Sequence, residues 1–89
     1  RKLFDANPLP AWVYDPFSLR FLAVNEAAIR DYGYSRNEFL TMTLADIRPK
    51  EDIPHLQRDV QETSHVGHRF TSGWRHIKKD GTLIDVDIY

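Results

Sequence analysis

The side chains of this chain that could take part in the most kinds of chemistry are those of its four histidines, His55, His65, His68 and His76. Imidazole nitrogens bind zinc, copper and haem iron, so these side chains are the candidate ligands for a metal or a haem. His65 and His68 lie three residues apart, but no thiolate or carboxylate completes a tetrahedral zinc set in a rigid frame around them. We therefore predict no metal site and interpret this pair as part of a solvated loop.

The sequence has few of the residues that covalent or hydrolytic catalysis needs. It contains no cysteine, which excludes a disulfide framework, a thiolate nucleophile and an iron-sulfur cluster. Ser35 and Ser64 lack the nucleophile-elbow context of a catalytic serine, and there is no glycine-rich phosphate loop. Glu51 and Asp52 begin a predicted helix, where they complement the helix dipole rather than form an acid/base pair. The sequence predicts a non-catalytic domain.

Length and composition predict one folded domain over residues 1–89, with 42% hydrophobic and 28% charged residues. A formal net charge of −1 gives no general attraction to phosphate backbones, so nucleic acid is not an expected partner. No apolar run approaches the roughly 20 residues that span a bilayer, so we expect no direct membrane insertion. The absence of thiols fits a cytoplasmic location. Because the chain starts without methionine and stops in a strand-like run at Tyr89, we expect it to be part of a longer protein.

The first quarter of the chain predicts a connector followed by a β-hairpin. Residues 7–10, Asn7-Pro8-Leu9-Pro10, oppose helix formation, so residues 1–10 are expected to lead into the first strand. Residues 11–15 and 21–24 are rich in aromatic and β-branched side chains and are predicted strands. Asp15-Pro16 and Ser18 supply turn residues between them, which favours antiparallel pairing.

Helices are predicted for the middle of the chain. Asn25 can cap a helix over residues 26–32, and Gly33 can close it in the left-handed conformation. Ser35 and Glu38 form a capping box, with Tyr34 and Phe39 as its hydrophobic staple. A short turn is expected at residues 43–47, and a longer helix at residues 51–64 whose apolar residues recur on one face, namely Ile53, Leu56 and Val60.

The last third returns to strand periodicity. Residues 70–78 and 83–89 are predicted strands, and Lys79-Asp80-Gly81 supplies the turn between them. The order of strand pair, helices and strand pair predicts an α+β fold, with an antiparallel sheet and short helices packed on one face.

These elements and the residues at their joints resemble the PAS family over nearly the whole chain. The similar segments are Asn7-Pro8-Leu9-Pro10 with Trp12-Val13-Tyr14-Asp15, then Phe21-Leu22-Ala23-Val24-Asn25-Glu26-Ala27-Ala28, then Tyr32-Gly33-Tyr34-Ser35-Arg36-Asn37-Glu38-Phe39, and finally Trp74-Arg75-His76 with Lys79-Asp80-Gly81-Thr82. The resemblance implies a PAS-like antiparallel sheet in the order 2-1-5-4-3. The fifth strand is missing here, so the domain is expected to be truncated at its C-terminal end.

The resemblance also implies a ligand pocket between the helices and the sheet. The residues expected to face this pocket are Ile29, Phe39, Ile47, Leu56, Val60 and Trp74. The alternative is that these side chains simply fill the core, since an apolar stripe at helical spacing is first of all a packing device.

Two cofactors are compatible with the resemblance, although none is required. Haem-binding members of the family offer an axial histidine from the longest helix, which makes His55 the candidate axial ligand. His55 lies about 100° from Leu56 around the helix, at the edge of the buried stripe or in solvent. Non-covalent flavin is also compatible, whereas a cysteinyl-flavin adduct is excluded because the chain has no cysteine.

The resemblance implies a sensory input domain of a bacterial signal-transduction protein, such as a two-component sensor histidine kinase or a cyclic-dinucleotide enzyme. Such a domain binds a small ligand or partner and relays the signal to a covalently linked output domain, often as a homodimer. The whole protein could still be anchored to a membrane. Two alternatives stay open: a haem-binding gas or redox sensor that uses His55, and a dimerisation module without any ligand.

Overall fold

The computed structural model describes residues 2–63 and 70–89. Its elements in chain order are helix α1 (Lys2–Ala6), strand β1 (Trp12–Tyr14), strand β2 (Phe21–Val24), helix α2 (Glu26–Tyr32), helix α3 (Arg36–Phe39), two 3-10 turns (Leu44–Ile47 and Lys50–Asp52), helix α4 (Ile53–Thr63), strand β3 (Thr71–Ile77) and strand β4 (Leu83–Ile88). The α+β class and the order of the elements after α1 agree with the sequence prediction.

The strands form antiparallel hairpins. β1 pairs with β2, and Val13 lies opposite Ala23. The turn between them is held by Asp15, whose carboxylate accepts hydrogen bonds from the backbone amides of Phe17 (2.8 Å) and Ser18 (3.3 Å). β3 pairs with β4 through a turn in which Gly81 has a positive φ of 89°, a conformation that favours glycine.

Within the described residues the two hairpins are separate two-stranded sheets, whereas the sequence analysis predicted one sheet. A cleft of about 500 Å³ lies between them, with Ala11 and Trp12 on one side and Val86 and Ile88 on the other. No strand of the described chain joins β1 to β4, so their facing edges do not share backbone hydrogen bonds. This is the position that a central fifth strand takes in the strand order implied by the resemblance.

Local sequence explains where the middle helices begin and end. The side chain of Asn25 accepts a hydrogen bond from the amide of Ala28 (3.0 Å) and starts α2, and Gly33 ends it with a φ of 86°. Ser35 and Glu38 form the reciprocal capping box of α3. The ring of Tyr34 lies 5.4 Å from that of Phe39, as expected for a staple.

The longest helix begins two residues later than predicted, because residues 50–52 form a 3-10 turn instead. Pro54 occupies the first turn of α4, where its missing amide hydrogen costs nothing. Leu56 and Val60 are the buried residues of α4, and they belong to the same hydrophobic cluster as Trp74 of β3. With 11 residues, α4 is the longest helix in the described ranges, and none of these helices is long and apolar enough to cross a bilayer.

The N-terminal segment contains a helix where the sequence predicted only a connector. α1 is attached to the domain through Asn25, which is fully buried. The amide nitrogen of Asn25 donates to the carbonyl oxygens of Phe4 (3.0 Å) and Leu9 (2.9 Å), while its oxygen accepts from the amide of Ala11 (2.9 Å). One side chain therefore caps α2 and fixes the path of the chain before β1.

We expect Asn25→Ala to lower the free energy of unfolding by about 2–4 kcal/mol, because it removes a cap and leaves buried backbone groups without partners. Urea unfolding followed by the fluorescence of Trp12 and Trp74 measures the change. Asn37→Ala is the matched control, since Asn37 is exposed, and its effect is expected to stay within about 0.5 kcal/mol. Equal effects of the two substitutions would contradict the role of Asn25.

Candidate functional site

The side chains predicted to face a pocket converge in the interior. Phe39, Ile47, Leu56, Val60 and Trp74 are buried in one hydrophobic cluster, and Ile29 is half-buried against it. Aromatic rings fill much of this cluster, as in the edge-to-face contact of Phe21 with Phe39 at 5.0 Å. The structure brings the predicted set together as packed core, and its use as a ligand pocket stays a prediction.

The polar centre of this interior lies on β3 and was not identified from the sequence. Strand alternation directs Trp74 and His76 to the same, inner face, where their residues are 1% and 0% exposed. Nδ1 of His76 lies 2.5 Å from the hydroxyl of Tyr32 on α2, and among the described residues its Nε2 has no hydrogen-bond partner. The inward face of β3 was readable from the sequence, but the contact with Tyr32 was not.

Burial keeps this pair neutral. It lowers the pKa of His76 from 6.5 to about 3, and the nearby charge of Arg48 lowers it further in the same direction. Burial also raises the pKa of Tyr32 to about 12, against an opposing effect of Arg48. At neutral pH the interior therefore holds a neutral imidazole next to a protonated phenol.

Arg48 brings a positive charge into the same interior. It follows the first 3-10 turn in an extended conformation, and the residue is only 5% exposed. Nη1 donates to the carbonyl oxygen of Leu44 (2.7 Å), and the guanidinium carbon lies 4.9 Å from the centroid of the Trp74 ring. Burial lowers its pKa to about 10, so the guanidinium stays charged at neutral pH. The sequence analysis missed this residue, because an isolated arginine between two turns carries no pattern.

His55 does not point into the interior. Its residue is exposed, and its ring lies 4.4 Å from the buried ring of Trp74 in an edge-to-face contact. Trp74 thus contacts Arg48 as well as His55. Because the imidazole of His55 lies at the surface and packs against Trp74, its position gives little support to His55 as an axial haem ligand.

Glu51 and Asp52 have a partner that the sequence did not indicate. The guanidinium of Arg75 on β3 donates to both carboxylate oxygens of Asp52, at 3.0 and 2.8 Å, and to Glu51 at 3.3 Å. The hydrogen bonds from Arg75 lower the pKa of the Asp52 carboxyl, and the same pairing raises the pKa of Arg75. These carboxylates connect the second 3-10 turn to the sheet.

A second ion pair joins the helices to the β3–β4 turn. The ammonium of Lys79 lies 2.9 Å from one carboxylate oxygen of Glu38, and the Lys79 amide donates to the carbonyl oxygen of Tyr32 (2.9 Å). The hydrogen bond from Lys79 lowers the pKa of Glu38. Glu38 therefore serves both the capping box of α3 and the contact with the hairpin.

The cleft between the hairpins reaches the buried polar pair. Tyr32 and His76 both line it, together with Trp12, whose ring lies 5.7 Å from each of theirs. In the described part of the chain, no group of three or more His, Cys, Asp or Glu residues is placed to hold a metal ion. His65, His68 and Ser64 lie outside the described residues.

Helices packed over one side of antiparallel strands, around a buried polar centre, define the class of this domain as α+β. The family model for the PAS fold matches residues 21–89. The chain therefore belongs to the PAS fold family, which is generally non-catalytic.

Solved structures and one curated relative agree with this assignment. The chain is similar to a PAS domain from a two-component sensor histidine kinase (25% identity, TM-score 0.79, 96% of this chain and 71% of that one). It has the same fold as a domain of a sensory box sensor histidine kinase/response regulator from Geobacter sulfurreducens (20% identity, TM-score 0.84, 98% and 75% coverage). It is also 27% identical over 89 residues to the methyl sulfide methyltransferase-associated sensor of Methanosarcina acetivorans, covering 99% of this chain and 9% of that protein's length.

We expect the neutral state of His76 to make the fold sensitive to acid. The unfolded chain binds a proton near pH 6.5 and the folded one only near pH 3, so stability falls as pH drops below about 6.5, by up to about 1.4 kcal/mol per pH unit. His76→Asn removes this titration. Between pH 6.5 and about pH 5, urea unfolding should show wild type losing about 2 kcal/mol more than the variant.

Comparing wild type with His76→Asn isolates the effect of His76 from that of other titrating groups. Protonation of carboxyl groups with a lowered pKa, such as Asp52, also destabilises the folded protein in acid. This effect is the same in wild type and in His76→Asn, so it cancels in the difference between their unfolding free energies. Identical pH dependence in wild type and His76→Asn would show that His76 is not held neutral in the folded state.

Proposed function

We propose that this chain is the sensory input domain of a longer signal-transduction protein, which binds a small ligand or partner and relays the signal to an output domain. Membership of the PAS fold family and the sensors among its relatives support this function. The chain spans 9% of the length of the curated relative, so the activity of any whole protein is part of the proposal. A sensor histidine kinase is the favoured output, because similar solved domains come from such kinases. A cyclic-dinucleotide enzyme is the second possibility.

The hydrogen bond between Tyr32 and His76 is the observation that carries this proposal. It joins α2 to β3 in the interior, between residues 44 positions apart in the chain. A ligand or partner that favours one position of the helices over another changes the population of that contact. Since the outer ion pairs of Arg75 and Lys79 also join helices to the β3–β4 hairpin, such a shift moves the hairpin and the chain that follows it.

The ligand-free dimerisation module remains a distinct candidate because the surface carries exposed apolar side chains. Val13 and Leu22 are exposed on the β1–β2 hairpin, and Leu3 of α1 is 88% exposed. A homodimer that buries these side chains is compatible with the sensory proposal as well. Native mass spectrometry of the purified full-length protein separates the two: a dimer with no bound small molecule at any concentration favours the module.

The haem sensor has less support, because the exposed His55 packs on Trp74. A Soret band that disappears in His55→Ala would restore it, and a colourless protein after incubation with excess haem would end it. The proposal includes a cytoplasmic location, and it keeps a non-covalent flavin as a compatible ligand.

We expect Tyr32→Phe to change the output of the full-length protein, because it removes the helix-to-sheet hydrogen bond while keeping the ring. The cost in stability should be about 1–3 kcal/mol, because Nδ1 of the buried His76 loses its partner. Urea unfolding of the variant checks that the domain stays folded. Autophosphorylation from labelled ATP, or cyclic-dinucleotide synthesis, measures the output in the absence and presence of the native ligand or of cell extract.

Tyr34→Phe is the matched control for this experiment. Tyr34 packs against Phe39 with its ring, and its hydroxyl makes no hydrogen bond to any of the described residues. We expect its output to equal that of wild type. If Tyr32→Phe also behaves as wild type, the interior contact does not transmit a signal and the relay proposal loses its mechanism.

A further inference from the structure

The facing edges of β1 and β4 indicate what kind of group fills the cleft between the hairpins. Each of these strands has its partner on the far side, and no strand within residues 2–63 and 70–89 pairs with the edge that faces the cleft. Such an edge presents backbone N–H and C=O groups at the spacing of a strand, which another extended backbone matches. The cleft therefore fits an extended segment of polypeptide better than a small molecule.

His76 forms part of the inner wall of this cleft. It lines the cleft together with Trp12 and Tyr32, and its ring centroid lies 5.7 Å from that of Trp12 on the opposite hairpin. The residue is 0% exposed, and its Nε2 has no hydrogen-bond partner among the described residues. Because buried polar groups are almost always hydrogen-bonded, we expect the occupant of the cleft to supply the partner of Nε2.

Tyr32 determines whether that partner is a donor or an acceptor. Burial raises the pKa of its hydroxyl to about 12, so the hydroxyl keeps its proton at neutral pH. Nδ1 of His76 is its hydrogen-bond partner within the described ranges, so the hydroxyl donates to Nδ1. The single proton of the neutral imidazole then lies on Nε2. Nε2 is therefore a donor, and its partner must be an acceptor.

We propose that an extended segment from another part of the same polypeptide occupies the cleft, and that an inward side chain of this segment accepts a hydrogen bond from Nε2–H of His76. The acceptor is a hydroxyl or carboxamide oxygen, because a carboxylate would be desolvated beside a neutral imidazole. The inference rests on the proposed function, since it takes the segment from the longer protein. The chain covers 71% and 75% of two similar solved domains, so those domains contain further residues.

The hydrogen bond to His76 goes beyond the fifth strand that the resemblance implies at this position. It extends the contact between Tyr32 and His76 into two consecutive hydrogen bonds, which run from α2 through the imidazole to the segment. The two bonds depend on each other, because the proton on Nε2 is fixed by the bond that Nδ1 accepts. His76 is thus a positioning residue that connects the segment to α2.

Amide hydrogen exchange of the full-length protein tests whether the segment is present. Fragmentation mass spectrometry gives the exchange rates of single amides. We expect the cleft-facing amides of β1 and β4 to exchange as slowly as the amides paired within the hairpins, since both sets then have backbone partners. Exchange at the rate of exposed amides overturns the inference.

Dilution of the protein identifies the source of the segment. Protection of the cleft-facing amides that does not depend on protein concentration supports a segment of the same polypeptide. Protection that is lost on dilution shows that a second molecule supplies the strand, and this result overturns the inference.

His76→Gln and His76→Leu test the hydrogen bond itself. Both substitutions remove Nδ1, but glutamine keeps an N–H donor near the position of Nε2, whereas leucine has none. We expect protection of the cleft-facing amides to be roughly tenfold lower in His76→Leu than in His76→Gln, the effect of one buried hydrogen bond. Equal protection in the two variants overturns the inference.

The tautomer of His76 in the wild-type protein provides a test that needs no stable variant. Nitrogen NMR of the full-length protein, labelled at histidine, shows which ring nitrogen carries the proton. We expect the proton on Nε2 and slow exchange of that proton with solvent. A proton on Nδ1, or rapid exchange at Nε2, overturns the inference.

Failure of this inference is distinguishable from failure of the proposed function. If the cleft-facing amides are unprotected but Tyr32→Phe changes the output, this inference is wrong and the proposed function stands. If protection and tautomer are as expected but Tyr32→Phe leaves the output unchanged, the segment is in place and the relay is contradicted.

Discussion

The inner face of β3 is the surface on which the other elements depend. Trp74 and His76 both point inward from this strand, and three other elements meet them there. Tyr32 of α2 contacts His76, while His55 of α4 and Arg48, which follows the first 3-10 turn, contact Trp74. Strand alternation directs both residues to the same side. The aromatic ring supplies buried area, and the imidazole supplies a directional bond, so this one face determines both the packing and the position of the helices.

Buried polar side chains such as Arg48 and His76 are costly in so small a core. A chain of 89 residues buries a modest share of its surface, and each unsatisfied donor subtracts from a small total stability. Apolar residues at positions 48 and 76 would pack without that cost. The buried polar groups at these two positions therefore lower the stability of the folded state.

Polar contacts hold the first helix and the last hairpin to the rest of the domain. Asn25 fixes the path from α1 into β1 with its amide group, and Arg36 adds an ion pair to Asp5 of α1. At the other end, Arg75 and Lys79 hold the β3–β4 hairpin to the helical side. The inner face of β3 is thus adjacent to the elements that lie near both ends of the described chain.

The sequence by itself determined the local structure of this protein: the capped helices, the turns at Asp15 and Gly81, and the strands with their inward faces. These depend on residues within about four positions of each other, whose hydrogen bonds and backbone preferences act before any tertiary contact forms. Tertiary structure decided the rest. It brings together residues that are distant in the chain, as in the contact of Tyr32 with His76, the burial of Arg48 and the attachment of α1 to Asn25. It also decides that the two hairpins form separate sheets within the described residues. No local pattern encodes such contacts, because they exist only once the helices have packed on the strands.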